Sequence, residues 1–290
     1  AGTEYKGIKV LGRIANLNII LPENRLDEIA ITLGLSEYYR LEEIVALCEK
    51  SGVHTKFIPD YNKIIPTKPY TEDILGLPVI NIRYVPLNNT FNALVKRAMD
   101  IAGSIVGIIV TSPLMLLMCA IIKLTSPGPL IYKQERVGLH NQTFRMYKFR
   151  SMVTNAEEVK KKLMQETGQT DRFIFKMKDD PRITRVGRFI RRTSLDEFPQ
   201  FLNVLKGDMS MVGPRPALPE EVARYGSLYS ARLLVKPGIT GPWQISGRSD
   251  LTEEQSEYLD VSYIENWSIT GDIAILIKTV WVVIRGTGAY

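Results

Sequence analysis

Histidine and cysteine are nearly missing from this chain of 290 residues: it has two of each, His54, His140, Cys48 and Cys119. A histidine-based catalytic triad or a multi-histidine metal site is thereby excluded in practice. The two cysteines lie far apart in sequence, form no ligand pair, and read as buried thiols rather than a disulfide. No Gly-x-Gly-x-x-Gly turn follows any early strand, so nucleotide binding in the first 85 residues has no support. There is no low-complexity tract and no cleavable leader pattern. The first residues open directly in strand-like sequence, as a fragment of something longer would. Hydrophobic residues make up 45% and charged residues 23%, ordinary for a globular chain. The bulk is therefore not polytopic, and any apolar excess is local.

That excess is one uncharged run of 22 residues, Ile101 to Ile122, with Ser112-Pro113 at its midpoint. As a helix it would be about 33 Å long, enough for a bilayer core. Proline in a helix interior removes a hydrogen bond and clashes with the preceding turn. Lys96 and Arg97 precede the run, and Lys123, Lys133 and Arg136 follow it. Basic residues mark the cytoplasmic side of membrane segments, so basic flanks at both ends suggest that both ends lie on one side. A re-entrant helix-break-helix over about 95–123, with the break at Ser112 and Pro113, is one reading. An ordinary kinked span is another, since membrane helices tolerate proline. A buried core helix is a third.

Net charge is +6, which implies an anionic partner. It is concentrated: Thr143 to Leu195 holds 14 Lys and Arg against 6 Asp and Glu. Residues 1–85 read as alternating strand and helix. "GIKVLG", "LDEIAITLGL" and "VHTKFIPD" are strands, and "EYYRLEEIVALCEKSG" is a helix that stops at a glycine. Strand-helix-strand order implies an α/β fold with a parallel sheet. Residues 76–92 read as an extended linker. Beyond them come the apolar run, a charged helix around 154–166, and a proline-rich stretch with Pro214, Pro216, Pro219, Pro237 and Pro242. The closing "DIAILIKTVWVVIRG" is an apolar helix that would lie in the membrane interface or pack on its own domain.

Ser194-Leu195-Asp196-Glu197 has the spacing of a capping box. It would set Asp196 in a first helical turn, where free amides favour an anion. Arg188, Arg191 and Arg192 just upstream would favour the ionised carboxylate further. An anionic aspartate among arginines can attack phosphorus, and Glu197 could hold a divalent cation. A plain helix start with surface ion pairs explains the same four residues. Pro199 fits poorly within a helix capped at Ser194, which suggests a displaced cap or a bend. Arg145, Lys148, Arg150, Arg182, Arg185 and Arg215 enlarge the basic set, and arginine is the usual planar partner of phosphate. Aromatics are not interleaved through the basic stretch as in single-strand nucleic-acid platforms. Nucleic acid also gives no reason for the membrane segment.

With "KRAMD", Ser112-Pro113, "SPGPLIYKQERVG", "YKFRSM", "TSLDEFPQFLNVLKGDMSMVGPRP", "KPGITGPWQISGR" and "YIENWS" in this order, residues 93–290 resemble the bacterial polyprenyl-phosphate hexose-1-phosphate transferases, the monotopic phosphoglycosyl transferases. The resemblance implies a mostly helical, membrane-embedded catalytic domain with a re-entrant helix, preceded by part of a Rossmann-like domain in 1–85 with a linker to 92. It implies transfer of a hexose-1-phosphate from a UDP-hexose, galactose or glucose favoured, to undecaprenyl phosphate, with release of UMP and with Mg²⁺. It implies a covalent phosphosugar on Asp196, and Glu197 assisting through the metal. Arg150, Arg191 and Arg215 fall at positions associated with the phosphates; Asp208 and Arg248 lie in matching motifs. The implied setting is the cytoplasmic face of the bacterial inner membrane, among its lipids, with no nucleic-acid partner, in exopolysaccharide, capsule or O-antigen synthesis. A homodimer is compatible with it. The longer members carry a preceding half-domain and four membrane helices that this sequence does not contain, as in a truncated chain or a shortened relative. A membrane-anchored scaffold that binds polyanions without chemistry is the alternative of a different class.

Overall fold

The computed structural model describes residues 4–61, 67, 69–156, 158–159, 180–226, 228–247 and 251–285. The charged helix expected around 154–166 and the site candidate Arg248 fall partly and wholly outside them. The chain divides into two compact units, Ala1–Ile82 and Arg83–Tyr290.

In the first unit β1 (Glu4–Tyr5) pairs antiparallel with β2 (Ile8–Lys9). Helix α1 (Leu17–Glu23) leads to β3 (Glu28–Ile31), and helix α2 (Leu41–Lys50) to β4 (His54–Phe57), which runs parallel to β3. Ile44 and Cys48 lie one helical turn apart on α2 and close over Leu21, Ile31 and Leu33. The glycine stop falls where expected, at Gly52 with φ +73°. The parallel strand-helix-strand unit is thus present, as a two-stranded sheet among the described residues. The expected linker over 76–92 needs correction. Strand β5 (Tyr70–Ile74) turns back into β6 (Leu77–Asn81) as an antiparallel hairpin. Its two-residue loop, Leu75 and Gly76, has positive φ at both positions (55° and 86°), the geometry that matches strand twist. Asp73 Oδ1 accepts from the Gly76 amide at 2.8 Å.

The second unit is built along α3 (Thr90–Thr125), a helix of 36 residues and so about 54 Å of rise. Asn89 caps it by accepting from the amides of Phe91 and Asn92 at 3.0 and 3.3 Å. Among the described residues it is the one helix long and apolar enough to cross a membrane. The expected break at Ser112-Pro113 is not an interruption: helix is continuous through both. Pro113 cannot donate to the Ile109 carbonyl, and the Ser112 hydroxyl does so instead, at 2.9 Å. The proline's lost hydrogen bond is thereby replaced one residue earlier.

One stripe of α3 is covered along nearly its whole length. Lys96, Asp100, Ser104, Met118 and Ile122 are buried. A side chain at Gly103 would crowd Met211, and one at Gly107 would come within 2.8 Å of Phe201. The other faces, with Ile105, Ile109, Leu116 and Leu117, are exposed. Against the covered stripe stand a hairpin, β7 (Ile131–Val137) with β8 (Thr143–Phe149), and α4 (Arg185–Arg192). Helix α5 (Gln200–Lys206) and β9 (Ser210–Val212), which is parallel to β10 (Gly238–Thr240), complete the layer. Helices α6 (Glu253–Glu265) and α7 (Ile269–Arg285) close the unit. At the start of α3, Lys96 Nζ donates to Asp272 Oδ2 at 2.6 Å and to the Val212 carbonyl at 3.0 Å. Asp100 Oδ1 accepts from Ser210 Oγ and the Met211 amide at 2.8 and 2.9 Å. Near its far end, Met118 and Ile122 pack with Phe149, Ile190 and Leu195. Cys48 and Cys119 are both free.

Candidate active site

Three backbone elements meet around Asp196. Helix α4 begins where Thr184 Oγ1 accepts from the Gly187 amide at 2.8 Å. A Cβ on Gly187 would collide with the Ser151 carbonyl, so only glycine lets α4 approach the chain leaving β8. After α4 the chain turns through Ser194, which sits in the left-handed region at φ 57°, a conformation a non-glycine residue adopts at some cost. Leu195 then plugs into the cluster with Met118, Ile122, Phe149 and Ile190. The next residue is Asp196, in a 3-10 turn over Leu195–Glu197.

The capping box expected at Ser194 does not form. Ser194 makes no side-chain cap, and its backbone is left-handed instead of the extended conformation that a capping residue takes. The Glu197 carboxylate goes to Lys148 Nζ instead, at 2.7 Å. The longer helix, α5, starts at Gln200 with Pro199 as its cap residue, as the awkward proline suggested.

Asp196 is only 8% exposed. Among the described residues Lys148 makes its ion pair, with Nζ 4.0 Å from Oδ2. Burial pushes its carboxyl up to about 6, and the neighbouring Glu197 charge adds to the rise; Lys148 and Arg191 pull down without cancelling it. The expectation that arginines would hold this carboxyl low is thus reversed: desolvation outweighs them. At neutral pH the group is still mainly ionised, yet poised near its titration point.

Lys148 reaches the carboxylates because α5 is fastened to β8. The buried Asn203 takes the Tyr147 amide on Oδ1 at 3.0 Å and gives Nδ2 to the Arg145 carbonyl at 2.8 Å, as a neighbouring strand would. Arg150, just past β8, donates Nη2 to the Ser126 carbonyl and hydroxyl, both at 2.7 Å. Its Nη1 is buried with no partner, and Gly128 leaves the space for it. Arg136, on β7, is buried with its Nε unpartnered. Burial, then the charge of Arg215, lowers it to about 10, while Glu221 and, more weakly, Tyr132 and Glu197 oppose that shift. The Arg215 guanidinium lies over the Trp243 ring at 5.3 Å. The Arg215 carbonyl accepts from Arg232 Nη2 at 2.5 Å.

Of the residues singled out in sequence, Asp196, Glu197 and Arg191 share one field, and Arg215 is linked to it through Arg136. Arg150 lies at the α3 end of the same layer. Asp208 stands apart: it follows α5, takes the Asn203 amide at 3.2 Å, and faces Lys236. Lys148 was one of many basic residues in the sequence, and Arg136 only a flank of the apolar run. The β7–β8 register, which pairs Tyr132 with Lys148 and Phe144 with Arg136, gives them their positions. Among the described residues no three His, Cys, Asp or Glu side chains cluster as a metal cage.

Residues 91–286 match the bacterial sugar transferase family. The chain is 49% identical over 195 residues to the galactosyl transferase CpsE of Streptococcus agalactiae, covering 67% of this chain and 43% of that protein. It is 41% identical over 295 residues to the undecaprenyl-phosphate galactose phosphotransferase of Salmonella typhimurium, covering 98% and 61%. It is 36% identical over 279 residues to the UDP-glucose:undecaprenyl-phosphate glucose-1-phosphate transferase of Klebsiella pneumoniae, covering 93% and 57%. The chain thus spans roughly half the length of these relatives.

Proposed function

The chain belongs to the bacterial sugar transferase family, and from that membership we propose that it moves a hexose-1-phosphate from a UDP-hexose to undecaprenyl phosphate. The relatives' names point to UDP-galactose or UDP-glucose as donor. The observation that carries the reading is Asp196. It is a buried carboxylate one residue from Leu195, which packs on the apolar helix, and cations surround it. In the first step an Asp196 carboxylate oxygen attacks the β-phosphorus. The bond from that phosphorus to the bridging oxygen breaks, and UMP leaves with the electron pair. In the second step an oxygen of the lipid phosphate attacks the same phosphorus and releases the carboxylate. Lys148, Arg191, Arg136 and Arg215 orient the diphosphate and offset its charge. The unpartnered nitrogens of Arg150 and Arg136 are donors already desolvated and waiting for an oxygen.

The donor set also fits Mg²⁺, which binds through one or two carboxylates and completes its shell with water and phosphate. Glu197, more open than Asp196, would hold it, with Asp196 beside it. When bound, the ion supplies charge compensation and polarises the phosphoryl group.

For α3 we propose entry and exit on the same leaflet, at the cytoplasmic face, with the unbroken helix bending at Pro113. Support comes from both ends being fastened to one unit: Lys96 to α7 and β9, and Ile122 to β8 and α4. A crossing helix would carry those anchors to opposite sides of a membrane about 30 Å thick.

The test is UMP release. Protein in detergent with undecaprenyl phosphate, Mg²⁺ and UDP-galactose or UDP-glucose should release UMP, and without the lipid it should retain at most one equivalent of labelled sugar. No UMP from any UDP-sugar, with salt-dependent polyanion binding intact, would favour the scaffold instead.

A further inference from the structure

A second cluster of cations lies away from Asp196 and has no role in the transfer chemistry above. The start of α3, the tip of the β7–β8 hairpin and the segment before β10 enclose a cavity of about 260 Å³, which neither Asp196 nor Glu197 lines. Val235 and Tyr263 are buried at its floor. Arg97 and Lys236 stand in its wall.

Arg97 closes the carbonyl end of α5, with Nη1 on the Val204 carbonyl at 2.6 Å and Nη2 on the Leu205 carbonyl at 2.7 Å. Lys236 is brought up against it. A Cβ placed on Gly207 would lie 3.5 Å from Lys236 Nζ and 3.6 Å from Arg97 Nη2, so the two heads converge over one point. Among the described residues neither makes an ion pair with a carboxylate. Lys236 is half-buried; burial, then the Arg97 charge, pushes its ammonium down, and the Asp100 and Asp208 charges oppose this without cancelling it. Asp100, the acid in the lining, is already used by Ser210, the Met211 amide and Lys96. Lys236 and Arg97 are like charges that repel, and with the Asp100 carboxylate already engaged an entering anion would relieve that repulsion.

The mouth shows which anion. Ala93, in the first turn of α3, lines the cavity and is exposed. On either side of it Phe91 and Leu94 are 69% and 68% exposed, at the start of the apolar helix. A ligand with its charge on Lys236 and Arg97 would leave the mouth beside Ala93 and carry its apolar tail toward the exposed Leu94, the next residue of the helix. We propose that this cavity binds the phosphate headgroup of an anionic membrane phospholipid and thereby moors the first turn of α3 in the interface. The phosphate oxygens would accept charge-assisted hydrogen bonds from Lys236 Nζ and from N–H groups of Arg97. The site does not depend on the transfer reaction.

The test is lipid retention by the purified full chain, read by native mass spectrometry with phosphatidylglycerol, phosphatidylcholine and inorganic phosphate as separate probes. The wild type should hold phosphatidylglycerol roughly tenfold more tightly than Lys236→Gln, as expected for one lost charged hydrogen bond. Phosphatidylcholine should distinguish the two little, and millimolar inorganic phosphate should not displace the lipid. Ala93→Trp, which blocks the mouth at an exposed position and leaves both cations, should also lower retention. Unchanged phosphatidylglycerol retention in a folded Lys236→Gln, or in Ala93→Trp if the first variant misfolds, would overturn the proposal. Equal competition by inorganic phosphate would assign the cations to a free phosphate and overturn the lipid.

Discussion

Two buried charge clusters sit in the same unit, and only one of them is closed. At the start of α3, Asp272 takes Tyr263 on Oδ1 at 2.9 Å, and Lys96 and Trp267 on Oδ2 at 2.6 and 3.1 Å. Asp100 is matched by Ser210 and the Met211 amide. At the other cluster, among the described residues, Asp196 is buried 4.0 Å from Lys148, and Arg150 and Arg136 each bury a nitrogen with no partner. A cluster that holds the fold together completes its own bonds, since each open one costs about 1–3 kcal/mol. A cluster that leaves them open has its partners supplied from outside. On the proposed function, the closed cluster is an anchor and the open one the site.

Asp196→Asn tests the contrast hardest. It should lower transfer by about a thousandfold or more, because an amide is a far poorer nucleophile, while raising stability. The sign follows from the titration. Folding lifts the carboxyl from its ordinary value to about 6, so the ionised form is disfavoured in the native state. Above pH 6 that disfavour costs on the order of 2–3 kcal/mol, and it is relieved as pH falls toward the unfolded value. A neutral isostere removes the cost, so the melting temperature at pH 7.5 should rise by several degrees. A fall in both activity and melting temperature would place Asp196 with the anchors.

Asp272→Ala should do the reverse. It removes the carboxylate that Lys96 donates to at 2.6 Å and leaves this buried ammonium only the longer 3.6 Å pairing with Asp100, with a loss of about 3 kcal/mol, seen as a lower denaturation midpoint in detergent. A loss under about 1 kcal/mol would erase the distinction between the clusters. The smallest effect is in the pH profile. Turnover of the wild type should fall about tenfold per pH unit below 6, as Asp196 protonates. Lys148→Gln removes the largest influence that lowers this carboxyl, so the midpoint of kcat against pH should move upward. An unmoved midpoint would mean that Lys148 serves Glu197 alone.

Local rules explain what was readable in the sequence. The apolar spacing of α2, the parallel β3–β4 pair and the glycine stop at Gly52 depend on near neighbours, and they appear where expected. The carboxylate pair stands out in the string as Asp-Glu among many arginines, while its role in the transfer is what the resemblance implies. The β5–β6 hairpin was not, since Leu75 occupies a positive-φ turn position that ordinarily goes to Asn, Asp or Gly. The capping box was misread for a related reason: Ser194 also adopts the left-handed conformation, and only the packing of Leu195 explains why. Burial, which sets the state of Asp196, is a property of the assembled layer. Four residues on each side of Asp196 contain Arg192 but neither Met118 nor Phe149, against which the adjacent Leu195 packs, so the layer that buries this turn cannot be counted from the string.

The partner of Lys96 lies 176 residues further along the chain, and this separation becomes a delay during synthesis. At about 5–20 residues per second, Asp272 leaves the ribosome roughly 9–35 s after Lys96. Through that interval the most apolar stretch of the protein exists without the surface that later covers its inner stripe. The exposed side of α3 never gains such a cover from its own unit, so lipid is the one solvent suited to the nascent helix throughout. On the proposed membrane reading, contact between α3 and lipid can form well before the buried lysine pair does.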